Sequence, residues 1–275
     1  MKLPFKLFFS DIDGTLLDAS RNVSSETISA IGKIKNSTPV ILISSRQPSA
    51  MHYLQRDLGV LKDPIICYNG GLIMNQDKIL SSTTISNSIV CAALKKAMQI
   101  QLHLSIYHED SWFAPLKDHW SDREENNTRV KPQITSFENM QKVFEKEAWG
   151  AHKMMGMGDP ELIDELIQFL ETNYPNKVHC YRSKDTYVEI SPRSISKKTA
   201  IEHLIEKVYP NLDIKDCIAF GDNYNDIEML KAVGIGVAVE NAKEEVKSIA
   251  KYHTKTNKNH GVAHFLESLH KNENT

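Results

Sequence analysis

The chain alternates between short, continuously apolar runs and segments whose apolar residues recur at helical spacing. Continuous apolar runs of about four to eight residues that end at polar residues or glycine are typical of buried strands. Five such runs predict strands of this kind: residues 5–9, 39–43, 64–68, 217–220 and 234–239. Strand, helix and strand at this spacing predict βαβ units, and therefore a doubly wound parallel sheet that is covered on both faces.

Helices and a hairpin are predicted around these runs. Ser24 or Ser25 is expected to cap a helix that turns Ile28, Ile31 and Ile34 toward the core. Residues 72–83 predict a hairpin with its turn near 75–77. Later in the chain, helices are predicted from the periodicity of residues 200–208, 243–250 and 262–270.

The pattern changes between residues 84 and 190, where helices mix with alternating strands. Helices are predicted at 88–98, after a capping box at 135–138, and from Asp159-Pro160; strands are predicted at 102–106, 153–157, 178–181 and 186–190; and 118–131 is a polar, charged stretch. This mixture predicts an inserted α+β module with one wet sheet face. We therefore expect a discontinuous core at 1–83 plus 191–275, with an inserted cap domain at 84–190.

Composition and charge narrow the class of protein. The 275 residues suit one large or two moderate domains, and 41% apolar with 25% charged residues is ordinary for a globular protein. A net charge of −2 without a basic block disfavours nucleic-acid binding, and no apolar stretch reaches the roughly 20 residues that would span a membrane. The N-terminus does not resemble a signal peptide, and the four scattered cysteines suggest reduced thiols. These features predict a cytoplasmic protein without a membrane partner.

The candidate chemistry lies where the predicted strands end. Asp11 and Asp13 follow the first run, and in an extended stretch their side chains would point the same way. An ordinary exposed turn with an Asx hydrogen bond would also explain Asp-Gly-Thr taken alone. However, the carboxyl ends of parallel strands share one edge of the sheet, so Asp222, Asp226 and Lys197 are expected in the same crevice.

Clustered carboxylates repel one another unless a cation or a shared proton intervenes. Oxygen ligands of this kind suit Mg²⁺, which usually binds through one or two carboxylates together with phosphate. Ser44, Lys197 and the loop N–H groups near Gly14 could donate hydrogen bonds to that phosphate. The pattern therefore indicates phosphoryl transfer rather than acid–base chemistry on carbon.

At these residues the chain resembles a known superfamily. Asp-Ile-Asp-Gly-Thr-Leu at 11–16 resembles the first motif of the haloacid dehalogenase-like (HAD) phosphatases. Ser44, Lys197 and residues 221–226 resemble the second, third and fourth motifs, in the right order. Residues 69–71, 196–200 and 241–246 are similar to the Cof-type branch, which carries a C2B cap.

The resemblance implies catalytic roles. Asp11 would be the nucleophile that forms an aspartyl-phosphate, and would also bind Mg²⁺. Asp13 would be the general acid and then the base, reaching the metal through its backbone carbonyl. Asp222 would be the side-chain metal ligand, with Asp226 in support, and Thr15 is expected to support the turn.

The resemblance also implies a phosphate site. The phosphate would be held by Ser44, Lys197, Asn225 and the backbone N–H groups of Ile12 and Ser45.

Some positions depart from the usual pattern of the family, and they leave the geometry of the phosphate loop and the substrate range open. They are Ser45 and Lys198, which stand where glycine is usual or frequent, Gly71 in place of alanine, and Glu240 in place of a small residue.

Three functions are compatible with these motifs. The first is a Mg²⁺-dependent phosphomonoester hydrolase acting on a small phosphorylated metabolite, such as a sugar phosphate. The alternatives are a phosphomutase of the same superfamily and a catalytically weak Mg²⁺- and phosphate-binding regulator. Substrate specificity is expected from cap residues near predicted strand ends, namely Tyr107, His108, Arg182 and Asp185.

Overall fold

The computed structural model describes residues 3–271 of the chain. The strands described are β1 (Leu7–Ser10), β2 (Val40–Ile43), β3 (Ile65–Cys67), β4 (Leu72–Asn75), β5 (Lys78–Ser82), β6 (His103–His108), β7 (Ser111–Ala114), β8 (Gln133–Ile134), β9 (Lys153–Met157), β10 (Val178–Lys184), β11 (Tyr187–Pro192), β12 (Cys217–Gly221), β13 (Ile235–Val239) and β14 (Tyr252–Thr254).

The helices described are α1 (Ser25–Ile34), α2 (Ser49–Leu58), α3 (Asn87–Gln99), α4 (His119–Thr128), α5 (Phe137–Glu147), α6 (Pro160–Asn173), α7 (Lys197–Val208), α8 (Ile227–Ala232), α9 (Glu244–Ile249) and α10 (Gly261–Lys271). Within the described range, no helix combines the length and the apolar composition that crossing a membrane requires.

The chain divides into two compact units. The first comprises residues 3–45, 51–81 and 196–271, and the second comprises 46–50 and 82–195. Each unit contains its own sheet and its own buried apolar cluster.

The sheet of the first unit has the order β14-β13-β12-β1-β2-β3-β4-β5. The pairs from β14 to β3 are parallel, and β3 pairs with β4 antiparallel. The predicted parallel sheet is therefore confirmed, and so is the hairpin, since β4 and β5 flank residues 76–77. Because β1 lies between β12 and β2, the carboxyl ends of these three strands are neighbours on one edge.

Both faces of this sheet are covered. Leu7 and Phe9 of β1 pack in a cluster with Ile201 of α7. Phe8 points to the opposite face, as the two-residue period of a strand requires, and its ring lies 5.3 Å from that of Phe220. The ring of Phe220 lies 5.6 Å from Phe265 in α10, so helices cover both sides, as expected for a doubly wound fold.

Helix α1 differs from its prediction at one position. Ser24 is the cap, and its side chain accepts a hydrogen bond from the N–H of Thr27. Ile31 and Ile34 are buried as predicted, but Ile28 is 36% exposed. Successive residues turn by about 100° around a helix, which places Ile28 beyond the edge of the stripe that Thr27 and Ala30 complete.

The second unit has a six-stranded sheet in the order β10-β11-β9-β6-β7-β8. Its pairs are antiparallel except β7 with β8. Residues of α3, α5 and α6 form a buried cluster with one face, which includes Leu104 and Ile106 of β6. The predicted α+β architecture of this region is observed, with longer strands at β10 and β11 than expected.

The expectation of a wet sheet face is wrong for β6. Its residues His103, Ser105 and Tyr107 alternate with the core residues and are nevertheless buried. Part of this cover is α4, whose cap residue Asp118 accepts a hydrogen bond from His103 Nδ1. The ring of Trp120 in the same helix lies 5.3 Å from that of Tyr187.

Helix α4 lies in the segment for which the sequence indicated only a polar stretch. Its buried positions are Ser121, Glu124 and Thr128, which have helical spacing but no apolar character. Hydrophobic periodicity cannot detect such a helix. The capping box predicted from Thr135 is also wrong by one residue, because the side chain of Ser136 accepts from the N–H of Asn139.

Candidate active site

The ends of two neighbouring strands bring the predicted carboxylates together. Asp11 follows β1 and Asp222 follows β12, and the backbone N–H of Asp11 donates to the carbonyl of Phe220, which extends the parallel ladder. Asp11, Asp222 and Asp226 each offer a carboxylate oxygen within 4.8 Å of the others. Within residues 3–271 this acidic cluster has a geometry that could hold a metal ion.

Lys197 lies inside this acidic cluster. Ser196 caps α7 with a capping box that includes Thr199, so Lys197 occupies the first helical residue. Its Nζ donates to Asp11 Oδ1 at 2.5 Å and to Asp226 Oδ1 at 2.6 Å. Burial alone lowers the pKa of Lys197, but the charges and hydrogen bonds of these two carboxylates raise it above its ordinary value. Lys197 is therefore a buried cation held between two carboxylates.

Asp226 is fully buried and both of its oxygens have donors. Oδ2 accepts the backbone N–H groups of Asp222 at 2.8 Å and Asn223 at 2.9 Å, while Oδ1 accepts from Lys197. This carboxylate therefore holds the loop after β12 against the start of α7.

One lysine does not balance three carboxylates. Burial raises the pKa of Asp11 well above its ordinary value; Lys197 opposes this rise, and the charges of Asp226 and Asp222 add to it. Burial, followed by the charge of Asp226, raises the pKa of Asp222 to about 6. Both pKa values are raised mainly by burial and further by the neighbouring carboxylate charges, and a bound cation would oppose both effects.

Gly14 and Thr15 fix the carboxylate of Asp222. Thr15 Oγ1 donates to Asp222 Oδ1 at 2.8 Å. Gly14 has φ +88°, and a Cβ at this position would lie 2.4 Å from Asp222 Oδ2. A glycine is therefore required both by the left-handed backbone and by the close approach of the carboxylate.

Asp13 lies apart from this acidic cluster. The strand ends at Ser10, and the chain turns immediately, since the N–H groups of Leu16 and Leu17 donate to the carbonyl of Ile12. Asp13 therefore stands at the start of this turn and is not one of the three clustered carboxylates. The carboxylate of Asp13 forms an ion pair with Arg21 at 2.9 Å, with both side chains more than 40% exposed.

The predicted phosphate residues Ser44 and Asn225 both bind Asn69. Ser44 follows β2 and is buried, and its carbonyl accepts from the N–H of Asn69 at 2.8 Å. Asn225 is exposed, and its Nδ2 donates to Asn69 Oδ1 at 3.1 Å. Ile12 is buried and Ser45 is half-buried.

Sequence reasoning gave Asn69 no role at the site. The available signal was its place in Asn-Gly-Gly directly after a buried strand.

The predicted specificity residues lie in the second unit. Tyr107 is buried and stacks on Trp112 with ring centroids 5.8 Å apart. His108 lies on the opposite face of β6, where it stacks on Trp149 at 4.5 Å and its Nδ1 is 2.8 Å from the carbonyl of Gly150. Arg182 forms an ion pair with Asp164 and donates to the carbonyl of Asp185. Their roles in specificity stay a prediction.

A parallel sheet with clustered carboxylates and a buried lysine at its carboxyl edge places a possible metal and anion site where α/β folds bind their ligands. The family model described as haloacid dehalogenase-like hydrolase matches residues 8–266. The chain belongs to this family, as its motifs predicted, and is a phosphatase enzyme.

Individual relatives agree with this assignment. A protein of Haemophilus influenzae is 30% identical over 267 residues, covering 96% of this chain and 97% of the relative. An HMP-PP phosphatase of Yersinia enterocolitica is 25% identical over 272 residues, covering 96% and 94%.

Solved structures show the same fold. A haloacid dehalogenase-like hydrolase from Bacteroides thetaiotaomicron has a TM-score of 0.87 at 26% identity, covering 96% of this chain and 99% of its own. The HAD subclass IIB sugar phosphatase BT4131 has a TM-score of 0.80 at 20% identity, covering 96% and 99%. The predicted fold class, a Rossmann-like core with an inserted α+β module, is therefore confirmed.

Proposed function

We propose that the chain is a Mg²⁺-dependent phosphomonoester hydrolase that acts on small phosphorylated metabolites through an aspartyl-phosphate at Asp11. The observation that carries this proposal is the cluster of Asp11, Asp222 and Asp226, in which the buried Lys197 forms ion pairs with Asp11 and Asp226. Such a cluster is costly unless a cation offsets the repulsion between its carboxylates, and a bound cation can in turn attract a phosphoryl group.

The donor set suits Mg²⁺, a hard cation with oxygen ligands. Asp11 and Asp222 would hold it with their carboxylates, and Asp13 with its backbone carbonyl. Asp226 is better suited to support, because both of its oxygens already accept hydrogen bonds from the protein. When bound, the ion neutralises negative charge on the phosphoryl oxygens.

Asp11 performs the first displacement. Its carboxylate oxygen attacks phosphorus as the bond to the leaving oxygen breaks, and Asp13 gives that oxygen a proton. Asp13 then takes a proton from a water molecule, whose oxygen attacks the phosphorus of the aspartyl-phosphate. Inorganic phosphate leaves, and the carboxylate of Asp11 and the proton on Asp13 are restored.

Asp13 has to turn away from Arg21 to reach the leaving group. Their ion pair is exposed, and exposed pairs contribute about 0–1 kcal/mol, so breaking this pair costs little. Ser44, Lys197, Asn225 and the N–H groups of Ile12 and Ser45 would hold the phosphoryl oxygens.

We further propose that the second unit, with domain boundaries near residues 84 and 190, is a substrate-selecting cap. Sugar phosphates are the proposed substrates, with Tyr107, His108, Arg182 and Asp185 as candidate specificity residues. The names of the Yersinia HMP-PP phosphatase and of the sugar phosphatase BT4131 support phosphorylated small molecules as the substrate class. The cytoplasm, where thiols stay reduced, is the proposed compartment.

A phosphate-release screen over sugar phosphates, nucleotides, flavin mononucleotide and pyridoxal phosphate, with and without Mg²⁺, tests the function. Asp11→Asn should lower kcat by at least about 10³-fold, because the amide is not a nucleophile. Asp77→Asn, at an exposed hairpin position, is the matched control and should retain full activity. Turnover that persists in Asp11→Asn would refute the aspartyl-phosphate, and release without Mg²⁺ would refute the metal assignment.

A further inference from the structure

The turn after β3 has an unusual backbone. Tyr68, Asn69 and Gly70 have φ values of 54°, 55° and 114°, so three consecutive residues lie in the left-handed region. For non-glycine residues this conformation costs roughly 1–2 kcal/mol each, although asparagine tolerates it better than most. A turn of this kind persists only where its surroundings hold it in place.

Two hydrogen bonds tie Asn69 to separate parts of the proposed phosphate site. Its backbone N–H donates to the carbonyl of Ser44 at 2.8 Å, at the end of β2. Its side-chain Oδ1 accepts from Asn225 Nδ2 at 3.1 Å, in the loop after β12. One residue therefore contacts two segments that are more than 150 positions apart in the chain.

Gly70 ties the same turn to a third segment. A Cβ on Gly70 would lie 2.9 Å from Ala200 Cβ and 3.0 Å from the carbonyl oxygen of Ser196. Ser196 caps α7 and directly precedes Lys197. The turn at 68–70 therefore packs against the start of the helix that carries the buried lysine.

We propose that Asn69 is a positioning residue of the phosphate site, acting mainly through Asn225. This inference rests on the proposed function. A carboxamide can present either its oxygen or its NH₂ group to a given neighbour. Asn69 Oδ1 accepts a hydrogen bond from Asn225 Nδ2, and this bond fixes the orientation of the Asn225 carboxamide with its NH₂ group toward the turn. The second N–H of that NH₂ group is then aligned to donate to a phosphoryl oxygen.

Asn69→Gly isolates the side chain from the backbone, since glycine adopts positive φ readily. We expect KM for the substrate and the dissociation constant of inorganic phosphate to rise about 10-fold, the typical effect of one hydrogen bond to a charged group, with kcat less affected. Asn176→Gly is the matched control, because Asn176 is exposed and also left-handed, with φ 62°. It should change neither constant.

A double-mutant cycle tests the route through Asn225. If Asn69 acts through that residue, Asn69→Gly should add nothing to Asn225→Ala in phosphate binding. Unchanged constants in Asn69→Gly, or effects that add fully in the double variant, would overturn the inference. Calorimetric titration of the Mg²⁺-loaded protein with inorganic phosphate measures phosphate binding without turnover. The inference about Asn69 fails on these binding constants, whereas the proposed function fails if Asp11→Asn remains active, so the two failures are distinguishable.

Discussion

At the scale of single residues, the site depends on a glycine that makes room for a carboxylate. Gly14→Ala would place Cβ 2.4 Å from Asp222 Oδ2 at φ +88°, so the carboxylate has to move. We expect a loss of stability of about 1 kcal/mol or more from the backbone conformation. Because Asp222 is the proposed metal ligand, we also expect Mg²⁺ affinity to fall by about 10-fold or more, measured by the Mg²⁺ dependence of phosphate release.

Gly32→Ala is the control for that substitution. Gly32 lies inside α1, and a Cβ there meets no atom within 4 Å. Alanine should therefore stabilise the helix by about 0.5–1 kcal/mol and leave Mg²⁺ dependence unchanged. Wild-type Mg²⁺ affinity in Gly14→Ala would show that Asp222 does not bind the ion.

The sequence predicts which side chains lie close together where the ends of paired strands determine their positions. Asp11, Lys197 and Asp222 were expected in one crevice, and the structure brings them together because β1 and β12 pair in parallel. The ion pair of Asp13 with Arg21 was not foreseen. It depends on a turn that begins at Ile12 and on a left-handed Arg21, neither of which has a signal in the hydrophobic pattern.

At the scale of elements, Asp226 joins the loop after β12 to the start of α7. In Asp226→Asn one of the two oxygens becomes an NH₂ group that faces either backbone N–H groups or the ammonium of Lys197. Removing one partner of a buried ion pair costs about 3 kcal/mol or more. The free energy of unfolding of Asp226→Asn, measured by urea unfolding followed by circular dichroism, should therefore be lower by about that amount. Asp77→Asn should not shift the transition. A change below about 1 kcal/mol in Asp226→Asn would mean that the amide finds new partners there.

The elements themselves were predictable to different degrees. Buried strands and helices with an apolar stripe were found from periodicity, because burial selects apolar residues directly. Helix α4 escaped because small and polar side chains form its buried stripe. The register of α5 was missed by one residue because Thr135 and Ser136 are adjacent hydroxyl residues, and only the backbone decides which one caps the helix.

At the scale of the whole molecule, the two units can be observed separately. The chain has three tryptophans, and all of them, Trp112, Trp120 and Trp149, lie in the second unit. Intrinsic tryptophan fluorescence therefore reports the unfolding of that unit. Circular dichroism reports the unfolding of both units. If the two units unfold separately, the transition followed by fluorescence will not coincide with the transition followed by circular dichroism.

The second unit should lose stability in mild acid because of His152. Its Nδ1 accepts the backbone N–H of Glu109 at 3.0 Å, and its Nε2 lies 3.0 Å from Ser82 Oγ, an arrangement that requires the neutral ring. Burial, with a smaller effect of nearby His108, lowers the pKa of His152 from 6.5 to about 4. The unfolded chain therefore binds a proton at a higher pH than the folded one.

Because the unfolded state binds this proton more readily, the second unit becomes less stable as the pH falls. The contribution of His152 is fully present above pH 6.5 and is lost as the pH falls from 6.5 toward 4, by about 3 kcal/mol in total. Urea titrations followed by tryptophan fluorescence at several pH values should show this slope. His152→Gln cannot titrate and should flatten it, whereas His264→Gln, at an exposed site in the first unit, should not. An unchanged slope in His152→Gln would show that other groups govern acid unfolding of the second unit.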